Sequence, residues 1–185
     1  IGAGMNDAGT VDGDELSAPA GLYRESVTFA HDNMTLTGAG AGTIIDGGNG
    51  NQPGITLPNG RVGSTITNLA VRNVHNSCIY GAAGNNGTRI TDTVLSNCRA
   101  DIGNFNGGGV YMNGPIDNVV FDGNEISASS QRGLVIWNGY KSNITITDNY
   151  VHDMVGCCGI ELQDGTASGV TVTGNVVENI GDSGM

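Results

Sequence analysis

The chain has 185 residues, 38% hydrophobic and 14% charged, with a net charge of −11. This length fits one domain, the low charge content excludes a charge-rich disordered chain, and an acidic surface without any basic run excludes nucleic acid, whose phosphates require clustered Lys and Arg. No stretch approaches the roughly 18 apolar residues of a membrane span, and the 32 Gly residues show no collagen period, which leaves a turn-rich β architecture.

In chain order, GDELSAPAGLYRESVTF (13–29) and NMTLTGAGAGTIIDGG (33–48) come first. They resemble the opening of pectate-lyase-like β-helix proteins. That resemblance implies a short capping helix ahead of them, within residues 1–9, although IGAGMNDAG is a poor helix former. The GAGAG run (38–42) lacks the Lys-Ser/Thr ending of a phosphate loop and reads as turn glycine. Residues 1–63 are expected to form irregular coils and a cap.

From residue 64 to 185 the chain repeats. The segments ITNLAVRN (66–73), ITDTVLSN (90–97), IDNVVFDGN (116–124), NITITDN (143–149) and GVTVTGN (169–175) end on Asn73, Asn97, Asn124, Asn149 and Asn175, spaced 24, 27, 25 and 26 residues apart. Second apolar strands follow the first four: CIYG (78–81), GGVYMNG (108–114), GLVIWNG (133–139) and GIELQDG (159–165). The alternation has period two: Val119/Phe121, Ile144/Ile146 and Val170/Val172 face inward, and Thr145, Thr147, Thr171 and Thr173 outward. One rung buries too little alone, so neighbours must stack. The pattern predicts one all-β domain over 1–185, a right-handed parallel β-helix of about seven or eight coils with about 25 residues each. The five Asn residues are expected to form one stacked column of amides, a structural feature. The last coil stops at VENIGDSGM (177–185) before its second strand. This is expected either of a segment of a longer chain or of a module that assembles end to end through its open β edge.

The four cysteines have no zinc-ligand spacing. Cys78 and Cys98 lie close to one repeat apart and can form a disulfide between stacked rungs, with buried thiols as the alternative; Cys157 and Cys158 are expected to be unpaired neighbours, with a vicinal disulfide as the alternative. Asn33-Met-Thr35, Asn86-Gly-Thr88 and Asn143-Ile-Thr145 are glycosylation acceptors. The chain opens on Ile1 rather than Met, as expected of one whose leader has been removed, and a secreted or cell-surface location is expected.

If Ile79, Val110, Leu134, Ile136, Ile160 and Leu162 point inward, then Tyr80, Tyr111, Val135, Trp137, Glu161 and Gln163 point outward. Tyr80, Tyr111 and Trp137 then form a row of flat rings suited to stacking against sugar faces, with Glu161 and Gln163 beside them for hydroxyls. Loops covering these rings are the alternative. Acid–base groups come from NYVHDMVG (149–156), with Tyr150 and His152, while His75 in VRNVHN holds a similar place in an earlier repeat. Alginate lyases and epimerases on this fold combine Tyr, His, Asp and Arg; the resemblance implies His152 and Tyr150 as proton-transfer groups, Arg132 as a uronate clamp and Glu161 as a further catalytic group. The family's Asp-Pro-His motif is replaced here by Val151-His152-Asp153. No cofactor and no metal site is predicted. Calcium is the ion the fold family would use, but Asp12, Asp14, Asp46, Asp101, Asp122, Asp148 and Asp164 are scattered. The resemblance therefore implies a polysaccharide partner, and the alternative is a non-catalytic structural or adhesive module.

Overall fold

A computed structural model describes residues 1–99, 107–182 and 184; Asp101 lies outside them. Apart from the one-turn helix Gly2–Met5, the regular elements among the described residues are 21 short strands in three sheets. The first sheet stacks Glu15–Ala18, Thr35–Gly38, Thr65–Thr67, Arg89–Thr91, Ile116–Asp122, Tyr140–Thr147, and both Thr166–Ser168 and Thr171–Thr173. The second stacks Gly21–Tyr23, Thr43–Gly50, Ala70–Val74, Val94–Cys98, Glu125–Ser127, Tyr150–Met154 and Val176–Ile180. The third stacks Val27–Thr28, Ile55–Leu57, Ile79–Gly81, Gly108–Asn113, Arg132–Trp137 and Cys158–Gln163. Pairing is parallel throughout, and each strand's partner is one coil away in sequence. The chain is thus a parallel β solenoid.

Six coils are complete, and a seventh supplies strands to the first two sheets. That is fewer than the expected seven or eight, because the residues before Glu15 form the helix and its turn and because one coil is longer than the rest. Coil spacing is 24 residues between Asn73 and Asn97, and 25 and 26 between Asn124, Asn149 and Asn175. Between Thr93 and Asn124, which are hydrogen-bonded partners, it is 31. Both ends of that register place the extra residues between Cys98 and Gly108.

The core is a set of aliphatic columns. Leu36, Ile66, Ile90, Phe121 and Ile146 stack inside the first sheet, and Ile45, Val71, Leu95, Ile126 and Val151 inside the second, all with no solvent exposure. Each such side chain contributes about 1.5–3 kcal/mol on burial, and each needs both neighbouring coils to reach it. Val172, next in the first column, has a neighbour on one side and is 38% exposed. At the other end Met5 of the Gly-rich helix enters the core. The helix is held by Glu25, whose carboxylate accepts from the Ile1 ammonium (2.8 Å) and the Gly2 amide (2.9 Å).

The Asn residues form two columns, where the sequence alone suggested one. Asn124, Asn149 and Asn175 sit between the first and second sheets. The Asn124 side-chain amide donates to Asn149 Oδ1 (2.8 Å), and that of Asn149 to Asn175 Oδ1 (2.8 Å). Thr93 continues this ladder, its hydroxyl donating to Asn124 Oδ1 at 2.7 Å. Asn73 and Asn97 belong elsewhere, near the end of the second-sheet strands. They share a turn column with Ala128, Asp153 and Asn179, all with φ between 51° and 55°. Asn and Asp are enriched in that left-handed conformation. The two columns exchange residue type because one amide side chain can serve either as a buried ladder rung or as a turn former.

Cys78 and Cys98 are bridged, with Cα atoms 5.4 Å apart, and neither is exposed to solvent. Cys157 and Cys158, expected to be unpaired, are bridged to each other.

Candidate functional site

The outer face of the third sheet carries the predicted ring row, in altered form. Tyr80 and Tyr111 are in register on adjacent coils and stack at 6.0 Å between centroids, 12° from parallel. The register partner of Tyr111 on the next coil is Val135, and Trp137 is paired with Asn113. The indole nonetheless stacks on Tyr111 at 6.4 Å and 22°. Tyr111 is sandwiched between the two other rings and is only 3% exposed, while Tyr80 and Trp137 are half-buried. Burial raises the Tyr111 phenol above its ordinary pKa, against the pull of the Arg132 charge. The expectation of three exposed platforms therefore reduces to two, with Tyr111 as the spacer between them. Val135, also on this face, has no exposure.

Arg132 lies flat over this face. Its Nε donates to Glu161 Oε2 (2.7 Å) and its Nη2 to Gln163 Oε1 (3.1 Å), and the guanidinium carbon is 4.8 Å from the Trp137 ring centre. The residue is 4% exposed. A cation held this way, paired and desolvated, is a structural brace for the rings rather than a free clamp for a uronate carboxylate. Arg132 turns outward because Gly133 turns inward: a Cβ on Gly133 would stand 2.5 Å from Val151 Cγ1 in the core.

Sequence reasoning missed the cleft beside Tyr80, lined by Gln52, Pro53, Thr56, Asn76 and Tyr80. Thr56 is the register partner of Tyr80 one coil earlier, so the cleft extends the ring row toward the N-terminal end. The signal lay in the register, which the irregular first coils conceal in the sequence. Asn113 adds an amide to the same face, donating to the Tyr80 hydroxyl at 3.2 Å.

The predicted acid–base residues lie on the second sheet. Tyr150 and His152 point outward from Tyr150–Met154 and stack at 4.0 Å. His152 Nδ1 is 2.8 Å from Asp153 Oδ2, and its Nε2 is 3.4 Å from Glu125 Oε1. The bonds from His152 and Asn179 hold the Asp153 carboxyl below its ordinary pKa. The Tyr150 hydroxyl donates to Glu178 Oε1 at 2.5 Å, which raises the phenol above its ordinary pKa. This group shares no hydrogen bond or ion pair with Arg132 or Glu161 among the described residues. The four predicted catalytic residues thus divide into two pairs on two sheets, Tyr150 with His152 on the second and Arg132 with Glu161 on the third. The register partners of His152 are Ser127 and Glu178, and through Ser127 and Ser96 the column reaches Arg72. His75 lies beyond that column and is no repeat equivalent of His152.

The three glycosylation acceptors are all exposed, Asn33 and Asn86 at turns leading into the first sheet and Asn143 within its strand Tyr140–Thr147. Asn143 donates to Asp117 Oδ1 (2.9 Å), Asn86 Oδ1 accepts from the Asp117 amide (2.8 Å), and Asn33 has a φ of 55°.

The family described as the right handed beta helix region matches residues 32–185. The chain belongs to that family. Three parallel sheets with one repeat per coil are the arrangement of a β-helix, and the family gives its right-handed sense. A sequence search of curated proteins finds no match. Among solved structures, the β-helix chain is similar to the Azotobacter vinelandii mannuronan C-5 epimerase AlgE6 A-module, at 16% identity and a TM-score of 0.35, over 91% of this chain and 73% of that one. No helix among the described residues is long and apolar enough to cross a membrane.

Proposed function

We propose that this β-helix binds a polysaccharide along the outer face of its third sheet, as a recognition surface rather than a catalytic one. The observation that carries the reading is the continuity of the half-buried Tyr80 and Trp137 rings with the cleft of Gln52, Thr56 and Asn76. Rings offer apolar faces to pyranose C–H groups, and amides and hydroxyls beside them answer sugar hydroxyls. The charge of this face points to a neutral sugar. Its cation, Arg132, is already neutralised by Glu161, and the chain as a whole carries −11, which repels a polyuronate. A secreted or cell-surface location belongs to the same proposal, since structural and capsular polysaccharides are encountered there.

The test is affinity electrophoresis against neutral and uronate polysaccharides, with absorbance of unsaturated products followed in parallel. Retardation by a neutral polymer is expected, without product. Trp137→Ala or Tyr80→Ala should each weaken it about tenfold, the equivalent of roughly 1.4 kcal/mol for a lost ring contact. Retardation by none of the polymers, or retardation indifferent to both substitutions, would sink the proposal; an unsaturated product would replace it with a lyase.

A further inference from the structure

At the start of the strand Cys158–Gln163, two sulfurs and a carboxylate converge. One ligand atom each from Cys157, Cys158 and Glu161 lie within 4.8 Å of one another. Around a tetrahedral zinc-type ion, with metal–sulfur bonds of about 2.3 Å and metal–oxygen bonds of about 2.0 Å, ligand atoms stand roughly 3.5–3.8 Å apart, so small side-chain movements suffice. We propose that these three residues form a redox-gated site for one thiophilic divalent cation such as zinc or cadmium.

Three features support this reading. Arg132 Nε donates to Glu161 Oε2, which fixes the carboxylate and leaves its other oxygen for the ion, as outer partners of metal ligands commonly do. Arg132 is also the register partner of Cys158, so a positive charge lies one coil away from the sulfurs. The charges then close: two thiolates and one carboxylate against the divalent ion leave −1, and the guanidinium cancels it. Three protein ligands leave a fourth position for water or another small ligand. Cys157 is half-buried and the Glu161 side chain is 23% exposed, so an ion can enter from solvent.

The gate is the Cys157–Cys158 bond itself. While it is intact, neither sulfur carries the negative charge a soft cation seeks. A phosphine reductant delivers two electrons: the S–S bond breaks, each sulfur takes up a proton and becomes a thiol, and the phosphine becomes its oxide with an oxygen from water. Cation binding then displaces the two thiol protons. The second bridge, Cys78–Cys98, has no solvent exposure and resists the same reagent in the folded chain.

The experiment treats the folded protein with a phosphine, removes the reagent, and adds cadmium. Alkylation and mass spectrometry should find two free thiols, at Cys157 and Cys158. The reduced protein should show the ultraviolet thiolate-to-cadmium charge-transfer band and take up one cadmium per chain by native mass spectrometry; the oxidised protein should do neither. Glu161→Gln should weaken uptake by about tenfold or more. Cys157→Ser, at a half-buried position that tolerates a hydroxyl, should abolish the band while the circular dichroism of the β-helix is retained. Reduced protein that takes up no cadmium, or a Cys157→Ser protein that binds it as well as the parent, would overturn the proposal.

Discussion

Asn149 shows how much one side chain carries in this molecule. It is 1% exposed, its amide donates to Asn175 Oδ1, Phe121 O and Thr147 O, and its oxygen accepts from the Asn124 amide and side chain. Asn149→Ala strands buried donors and acceptors on both adjoining coils. A loss of about 2–3 kcal/mol or more follows, since each orphaned buried polar group costs about 1–3 kcal/mol; urea unfolding checks it. The same substitution at the exposed turn residue Asn179, whose one side-chain bond runs to Asp153 at 3.1 Å, should cost far less. The sequence displays both Asn residues with equal prominence. Spacings of 24, 27, 25 and 26 look regular because they pair Asn97 of the turn column with Asn124 of the ladder, which spreads the long coil's extra residues over a false register. The ladder residue on that coil is Thr93, a hydroxyl with no sequence signal of its own.

At the scale of single strands, period-two alternation made the inward faces legible: Val119, Phe121, Ile144, Ile146, Val110, Leu134, Ile136 and Ile160 are all buried as the pattern requires. It failed at the strand starts of the third sheet. There Gly109, Gly133 and Gly159 turn inward against Ile126, Val151 and Val177 of the second sheet, so two successive residues face the core and Arg132 is thrown outward. This column sets how closely the second and third sheets approach. On Gly133 a Cβ would stand 2.4 Å from Gly159 O and 2.5 Å from Val151 Cγ1. Gly133→Ala should therefore destabilise by about 1–3 kcal/mol through overpacking. It should also displace Arg132 from Trp137, which a change in tryptophan fluorescence would report. Failure of both signals would mean that the two sheets can separate locally at no cost. Cys78 occupies the same column between Gly54 and Gly109, so its sulfur enters the space that glycine leaves open elsewhere.

On the scale of the whole molecule, the fold was readable from the repeat, while the division of the site was not. A linear sequence places Tyr150, His152 and Glu161 within a dozen positions of one another, but each coil distributes such neighbours over different outer faces. What lies together in space is one coil apart in the chain, as with Tyr80 and Tyr111, or Arg132 and Glu161. The bridge between Cys78 and Cys98 has a consequence of this winding. It closes a loop with a sequence separation of 20, nearly one full turn of the spool. Pulled by its two ends, the molecule should unwind coil by coil, each releasing about 85 Å of thread at about 3.4 Å per residue. The turn under the bridge cannot pay out. In an optical trap the total extension should fall short by roughly 65 Å, and the missing length should reappear once the knot of sulfur is reduced.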